Sequence, residues 1–277
     1  MSNPLPLSQP LALAIAKDRY LTPLHPFADN THIPLLSPPM YGQDITSGCR
    51  SRAPQGQSVG DNVGELKPKM LKLLGIFAGG DKTGMAKRLF DEFLRNRPGA
   101  VSYFDDANLS NAVANHPNIA SFCSAVLSAP NSPTRTSGQA RIHQALKNAG
   151  WDIKKLYMPQ NLGVPALNLG SKVFSTRDFN NGLGLMLNGV QYAYVIATHY
   201  LHDSAAKKYW ITLKFVFYDV FGLDDDDLKE FGASSDSMLS STAAIGVTAW
   251  WQLQHQFGYQ PLVTRVAFSK TYEAPTQ

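Results

Sequence analysis

Cysteine is nearly absent, with Cys49 and Cys123 the only two in 277 residues. Two isolated thiols give neither a metal-binding spacing nor a disulfide framework, so at most one bridge could form. Long apolar runs are missing as well. No segment approaches the roughly 18 apolar residues that cross a bilayer. The short run at 11–16 follows Pro4, Pro6 and Pro10 with no basic region before it, which makes a poor secretory signal. Charge is sparse, at 17% of residues with a formal net value of +4. Residues 1–170 hold 17 Lys+Arg against 11 Asp+Glu, and residues 171–277 hold 8 against 10. No basic cluster interleaves with aromatics, so no nucleic-acid partner is expected. Gly-x-Ser-x-Gly, a phosphate-binding loop, a dinucleotide fingerprint and His-Glu-x-x-His are all missing, and no organic cofactor is indicated. No repeat of 20–50 residues is visible, which argues against solenoids and propellers.

What is present is an ordinary globular core composition, 44% hydrophobic and 10% aromatic. Its densest part is residues 208–222, where Ile211, Leu213, Phe215 and Phe217 fall on one face and Thr212, Lys214, Val216 and Tyr218 on the other. A period of two predicts a half-buried strand. Residues 190–201 show the same period, so the two are predicted to pair antiparallel through a turn near His202. The second strand delivers Asp219, a Gly222 turn and four successive aspartates, Asp224 to Asp227.

The rest of the chain reads in order. Residues 1–63 carry nine of the 18 prolines and are expected to form an irregular arm, dispensable for folding. Residues 65–78, the stretch from 81 or 83 to 98, 106–116, 119–127 and 137–150 show helical spacing of apolar residues. Residues 128–138 read as a loop and 164–181 as a transition. A helix capped by Ser235 or Asp236 should run from 238 to about 257, followed by a last strand at 262–268. Helices first and strands later predict an α+β fold, with an N-terminal helical half and a small antiparallel C-terminal sheet packed on a long helix. The predicted units are the arm, 1–63, and one domain, 64–277, whose helical part is 64–160 and whose sheet-plus-helix part is 161–277.

Three blocks resemble a known family. They are Met85-Ala-Lys-Arg-Leu-Phe-Asp-Glu-Phe-Leu through Val101-Ser-Tyr-Phe, then Tyr218-Asp-Val-Phe-Gly-Leu-Asp224, and Trp250-Trp-Gln-Leu-Gln-His255 with the following Phe257-Gly-Tyr-Gln-Pro261. They are similar to an uncharacterised Gram-negative domain family with a Tyr-Asp-His-Phe-Gly-Leu-Asp signature and a Trp-Phe-x-Leu-Gln-His block. Its members often sit beside type VI secretion parts or polymorphic toxins. The resemblance implies an antibacterial effector, made in the cytoplasm without a Sec signal and secreted into target cells. Its implied partners are a secretion tube or spike component and a cognate immunity protein. It brings no established reaction. The chain departs from the signature at Val220, where the family has histidine.

Asp219, Asp224 and His255 are therefore the candidate catalytic residues. Two nearby carboxylates can split their pKa values to act as acid and base, or hold a divalent cation. The competing expectation is that Asp219 bonds turn amides and that Asp224 to Asp227 cap a short helix. His116, before Pro117, is expected to cap or to favour a helix end. Trp250 and Trp251 could instead serve a membrane-perturbing toxin. A non-catalytic adaptor of the secretion apparatus is the third possibility.

Overall fold

The computed structural model describes residues 4–17, 41–50, 62–97, 99, 102–126, 141–156, 160–162, 181–187, 189–234, 237 and 239–276. The predicted loop 128–138, the predicted helix start at Ser137, the transition at 164–180 and the predicted caps Ser235 and Asp236 lie outside them.

The two period-two segments form the hairpin expected, as β4 (Tyr192–Asp203) and β5 (Lys208–Phe221), paired from Tyr192 opposite Tyr218 to Asp203 opposite Lys208. The turn is closed by Ala206 N donating to Asp203 Oδ1 at 2.9 Å. An irregularity between Ala197 and His199 inserts one residue into β4. Alternation therefore slips there, and Tyr200 joins the same helix-covered core as Ala193, Val195 and Ala197.

β6 (Leu262–Pro275) runs antiparallel along the whole of β5, well beyond the predicted end at 268. Among the described residues the sheet has six strands in the order β2-β6-β5-β4-β1-β3, with β1 at Leu5–Lys17, β2 at Ser102–Asp105 and β3 at Gln160–Leu162. The fold is α+β, and its sheet is larger than the C-terminal strands alone. β2 joins β6 in parallel, β3 joins β1 in parallel, and β1 lies antiparallel on β4.

The expectation of an irregular arm over 1–63 therefore fails for Leu5–Lys17. Ala12, Leu13 and Ala14 are buried in the sheet. Proline is tolerated because Pro6 and Pro10 fall in the part of β1 that β3 does not reach, beside a register shift between Pro6 and Leu11. There a missing N–H breaks no ladder bond on the open side.

The helices are α1 (Val63–Phe77), α2 (Thr83–Leu94), α3 (Ala107–Ala114), α4 (Pro117–Ala125), α5 (Arg141–Asn148), α6 (Leu183–Met186), α7 (Asp225–Phe231) and α8 (Ser241–His255). Asn62 and Glu65 close a reciprocal cap on α1. Asp106 caps α3 through the amides of Asn108 and Leu109, and His116 Nδ1 accepts from Asn118 N to cap α4, the capping role expected of it. Ser240 caps α8.

Phe215 and Phe217 are fully buried on the helix-covered face, each worth roughly 1.5–3 kcal/mol of apolar burial. The opposite face carries a second, smaller core of Tyr41, Ile45, Tyr192, Tyr194, Ile196, Val216, Tyr218, Val220 and Val263. α8 is buried on nearly every side from Ala243 to His255, as a helix held inside a core must be. Gly246 lets it approach α1, since a Cβ there would stand 2.8 Å from Leu73 Cγ. Trp250 lies 4.3 Å, ring to ring, from Phe221 at the end of β5. Trp250 and Trp251 are both core residues, 6% and 0% exposed, so neither offers a ring to a bilayer interface in this fold.

Candidate functional site

β5 ends inside the molecule, and its exit lines a cavity of about 480 Å³. The walls come from residues 41–44, α1, α6, the β5 exit at 219–224, α7 and α8. Leu73, Phe77, Met186, Phe231, Val247 and Trp250 make an apolar body, and Asp44, Asp219, Asp224 and Asp227 bring four carboxylates to the same space.

Three of the carboxylates are positioned by backbone amides and Asp44 by a side-chain amide. Asp219 is 7% exposed; its Oδ1 accepts from Val220 N at 3.0 Å and its Oδ2 from Gly189 N at 3.3 Å. Asp224 precedes α7, where Asp224 Oδ1 accepts from Asp227 N and Asp227 Oδ2 accepts from Asp224 N. These are the turn and cap roles that compete with catalysis in the sequence. Asp44 Oδ2 accepts from Gln191 Nε2 at 2.6 Å. Burial, with Asp224, Asp44 and Glu230 as further negative neighbours, pushes the Asp227 carboxyl up to about 7 against the hydrogen bond from Asp224 N. Near neutral pH that group exchanges a proton readily.

The loop at 42–46 is held against this exit by two devices. A Cβ on Gly222 would stand 2.1 Å from the Asp44 carbonyl oxygen, so only glycine permits the approach. Gln254, fully buried on α8, receives Leu223 N at Oε1 (3.0 Å) and donates from Nε2 to the carbonyls of Asp44 (2.6 Å) and Thr46 (2.8 Å). One amide thus ties three segments together.

His255 is not among the cavity residues. It is 1% exposed and sits against Trp251, with ring centroids 4.9 Å apart. Its Nε2 lies 2.6 Å from the Leu223 carbonyl oxygen. A carbonyl only accepts, so Nε2 carries the proton and Nδ1 presents a lone pair in the neutral ring. That Nδ1 is 3.2 Å from Cys49 Sγ, an exposed free thiol 206 residues away in sequence. Gly48 N and Arg50 N donate to the carbonyls of Gln254 and His255 at 2.8 and 2.9 Å, pinning the thiol loop to the end of α8. Burial holds the imidazole below the ordinary histidine range, and the Leu223 bond and the nearby Asp225 and Asp224 work against it. Arg50 pairs with Asp225 beside it.

The three residues singled out in the sequence are therefore divided. Asp219 and Asp224 meet at the cavity, and His255 faces a thiol outside it. Asp227 was hidden within the aspartate run, indistinguishable there from its neighbours. Asp44 and Cys49 fall in the stretch read as an arm, where no local pattern marks them. Among the described residues, no three His, Cys, Asp or Glu side chains are placed to hold a metal ion together. Cys123 is buried and free, so the bridge with Cys49 is not formed. Comparison with family models, curated proteins and solved structures finds no match for this chain.

Proposed function

We propose that this chain is an antibacterial effector of the type VI secretion kind that hydrolyses a cell-envelope component in its cavity. The observation that carries the hydrolytic part is one carboxyl raised to about 7, Asp227, placed beside further carboxylates in a largely apolar 480 Å³ space. Asp227 gives its proton to the leaving oxygen or nitrogen. Asp224, the first of the acidic neighbours that hold that proton on, stands beside it as the second carboxyl group. Asp219, held by its two amide bonds, lines the same cavity. The effector part, with a tube or spike carrier and an immunity partner, is supported by the resemblance of the three sequence blocks. Were a divalent cation to bind, Asp219 and Asp224 would be the residues to hold it, and it would supply Lewis-acid polarisation of the scissile group.

The test is expression directed to the periplasm or to the cytoplasm, with a dye-leak readout. Asp227→Asn and Asp224→Asn keep the shape and the capping acceptor while removing the acid or the charge. Each should lower killing about 10²-fold or more with folding retained. Dye leakage ahead of lysis would favour membrane perturbation. A folded, fully toxic Asp227→Asn protein would remove the cavity chemistry.

A further inference from the structure

Outside the cavity, the structure pairs a nucleophile with a base. We propose that Cys49 and His255 form a second catalytic site, a thiol–imidazole pair that hydrolyses an acyl bond, an amide or ester, on a molecule too large to enter the cavity. The argument is geometric. Sγ and Nδ1 are within hydrogen-bond reach at 3.2 Å, and the Leu223 carbonyl fixes the tautomer in which Nδ1 can take the thiol proton. Nucleophile, base and orienting group are thus all present. The loop that carries the thiol is itself fixed by the bonds of Gly48 N and Arg50 N to the last turn of α8. Thr46 Oγ1 is also near the thiol, 3.7 Å from Sγ.

Exposure separates the two cysteines. Cys49 is open to solvent, whereas Cys123 is fully buried, with its thiol pushed up to about 12 by burial. Surface placement of Cys49 fits a carbonyl presented on a larger molecule.

The step balances without a further reactant except water. Nδ1 takes the thiol proton as sulfur attacks the carbonyl carbon. The same Nδ1–H then protonates the leaving nitrogen or oxygen as its bond to carbon breaks, leaving an acyl thioester on Cys49. Water, giving a proton to Nδ1, attacks the thioester. The thiolate leaves and regains that proton.

This site is independent of the cavity chemistry, and its test reads Cys49 rather than killing. The full chain is incubated with 4-nitrophenyl acetate. The expected result is an acetyl group on the peptide that carries Cys49 and repeated release of 4-nitrophenolate, both lost in Cys49→Ser. His255→Gln should slow acylation about 10²-fold, and added imidazole should restore part of the rate. The imidazole is faced by Cys49, Arg50, Asp224 and Asp225. Because burial keeps it neutral, the wild-type rate should fall only on acidification below the ordinary histidine range. Unmodified Cys49, a single acetylation without turnover, or an unchanged rate in His255→Gln would overturn the proposal. If His255→Gln does not fold, adduct and turnover in the wild type decide alone.

Discussion

The two regions flanking the Gly222 turn are built from the same pieces and engage their polar groups differently. In the cavity, the carboxylates of Asp219, Asp224 and Asp227 accept backbone amides, so their positions are fixed before any substrate arrives. Outside it, one backbone carbonyl, that of Leu223, orients the His255 ring, and the Cys49 thiol meets side chains, His255 Nδ1 and Thr46 Oγ1, while the backbone fixes its loop. Gln254 separates the two, since its amide bonds both the cavity loop at Asp44 and the exit at Leu223. A carboxylate held by amides can be structural and still serve chemistry. A thiol 3.2 Å from an oriented imidazole supports no strand, cap or turn, which makes its position harder to explain by folding alone.

The comparison can be broken first at its foundation. Deleting residues 1–17 removes β1 from beside β4 and uncovers a strand edge together with the contacts of Ala12, Leu13 and Ala14. The shortened chain should aggregate or lose its cooperative thermal transition, taking both regions with it. Circular dichroism on heating checks this, and a cooperative melt near the full-length midpoint would show that β1 is dispensable.

A smaller effect is expected at the partition. Gln254→Leu leaves Leu223 N and the carbonyls of Asp44 and Thr46 without their partner in a buried place. Each unsatisfied group costs about 1–3 kcal/mol, reduced where water enters. Denaturant unfolding should show a loss of at least about 2 kcal/mol, together with slower acetylation of Cys49. A loss confined to stability would mean that the thiol loop holds its place without Gln254.

The smallest effect sharpens the cavity side. A carboxyl raised to about 7 contributes stability that is present below its unfolded value of about 3.9 and lost as pH climbs through 7. Asp227→Asn removes that loss while keeping an acceptor for Asp224 N. Its melting temperature should match the wild type near pH 4 and exceed it by a few degrees near pH 8. A gain equal at both pH values would detach the effect from the ionisation of Asp227.

Much of this protein is legible in local patterns. The alternation of Ile211, Leu213, Phe215 and Phe217 against Val216 and Tyr218 determined β5 and its two faces, because a strand's side chains alternate whatever they pack against. Apolar spacing located α1 and α3 to within two residues, and the Asn62 cap of α1 emerged only in the structure. The aspartate run marked the cavity's acidic side. Tertiary structure alone decided the rest. Leu5–Lys17 is a strand because β4 offers it an edge, which outweighs a proline content that locally reads as coil. Ser102–Asp105 is too short to show a period and becomes β2 only by lying on β6. Asp44 reaches Gln191 across 147 positions, and Cys49 reaches His255 across 206. Neither pairing leaves a trace in local composition, since spacing encodes the faces of a strand or helix and only packing brings distant side chains together.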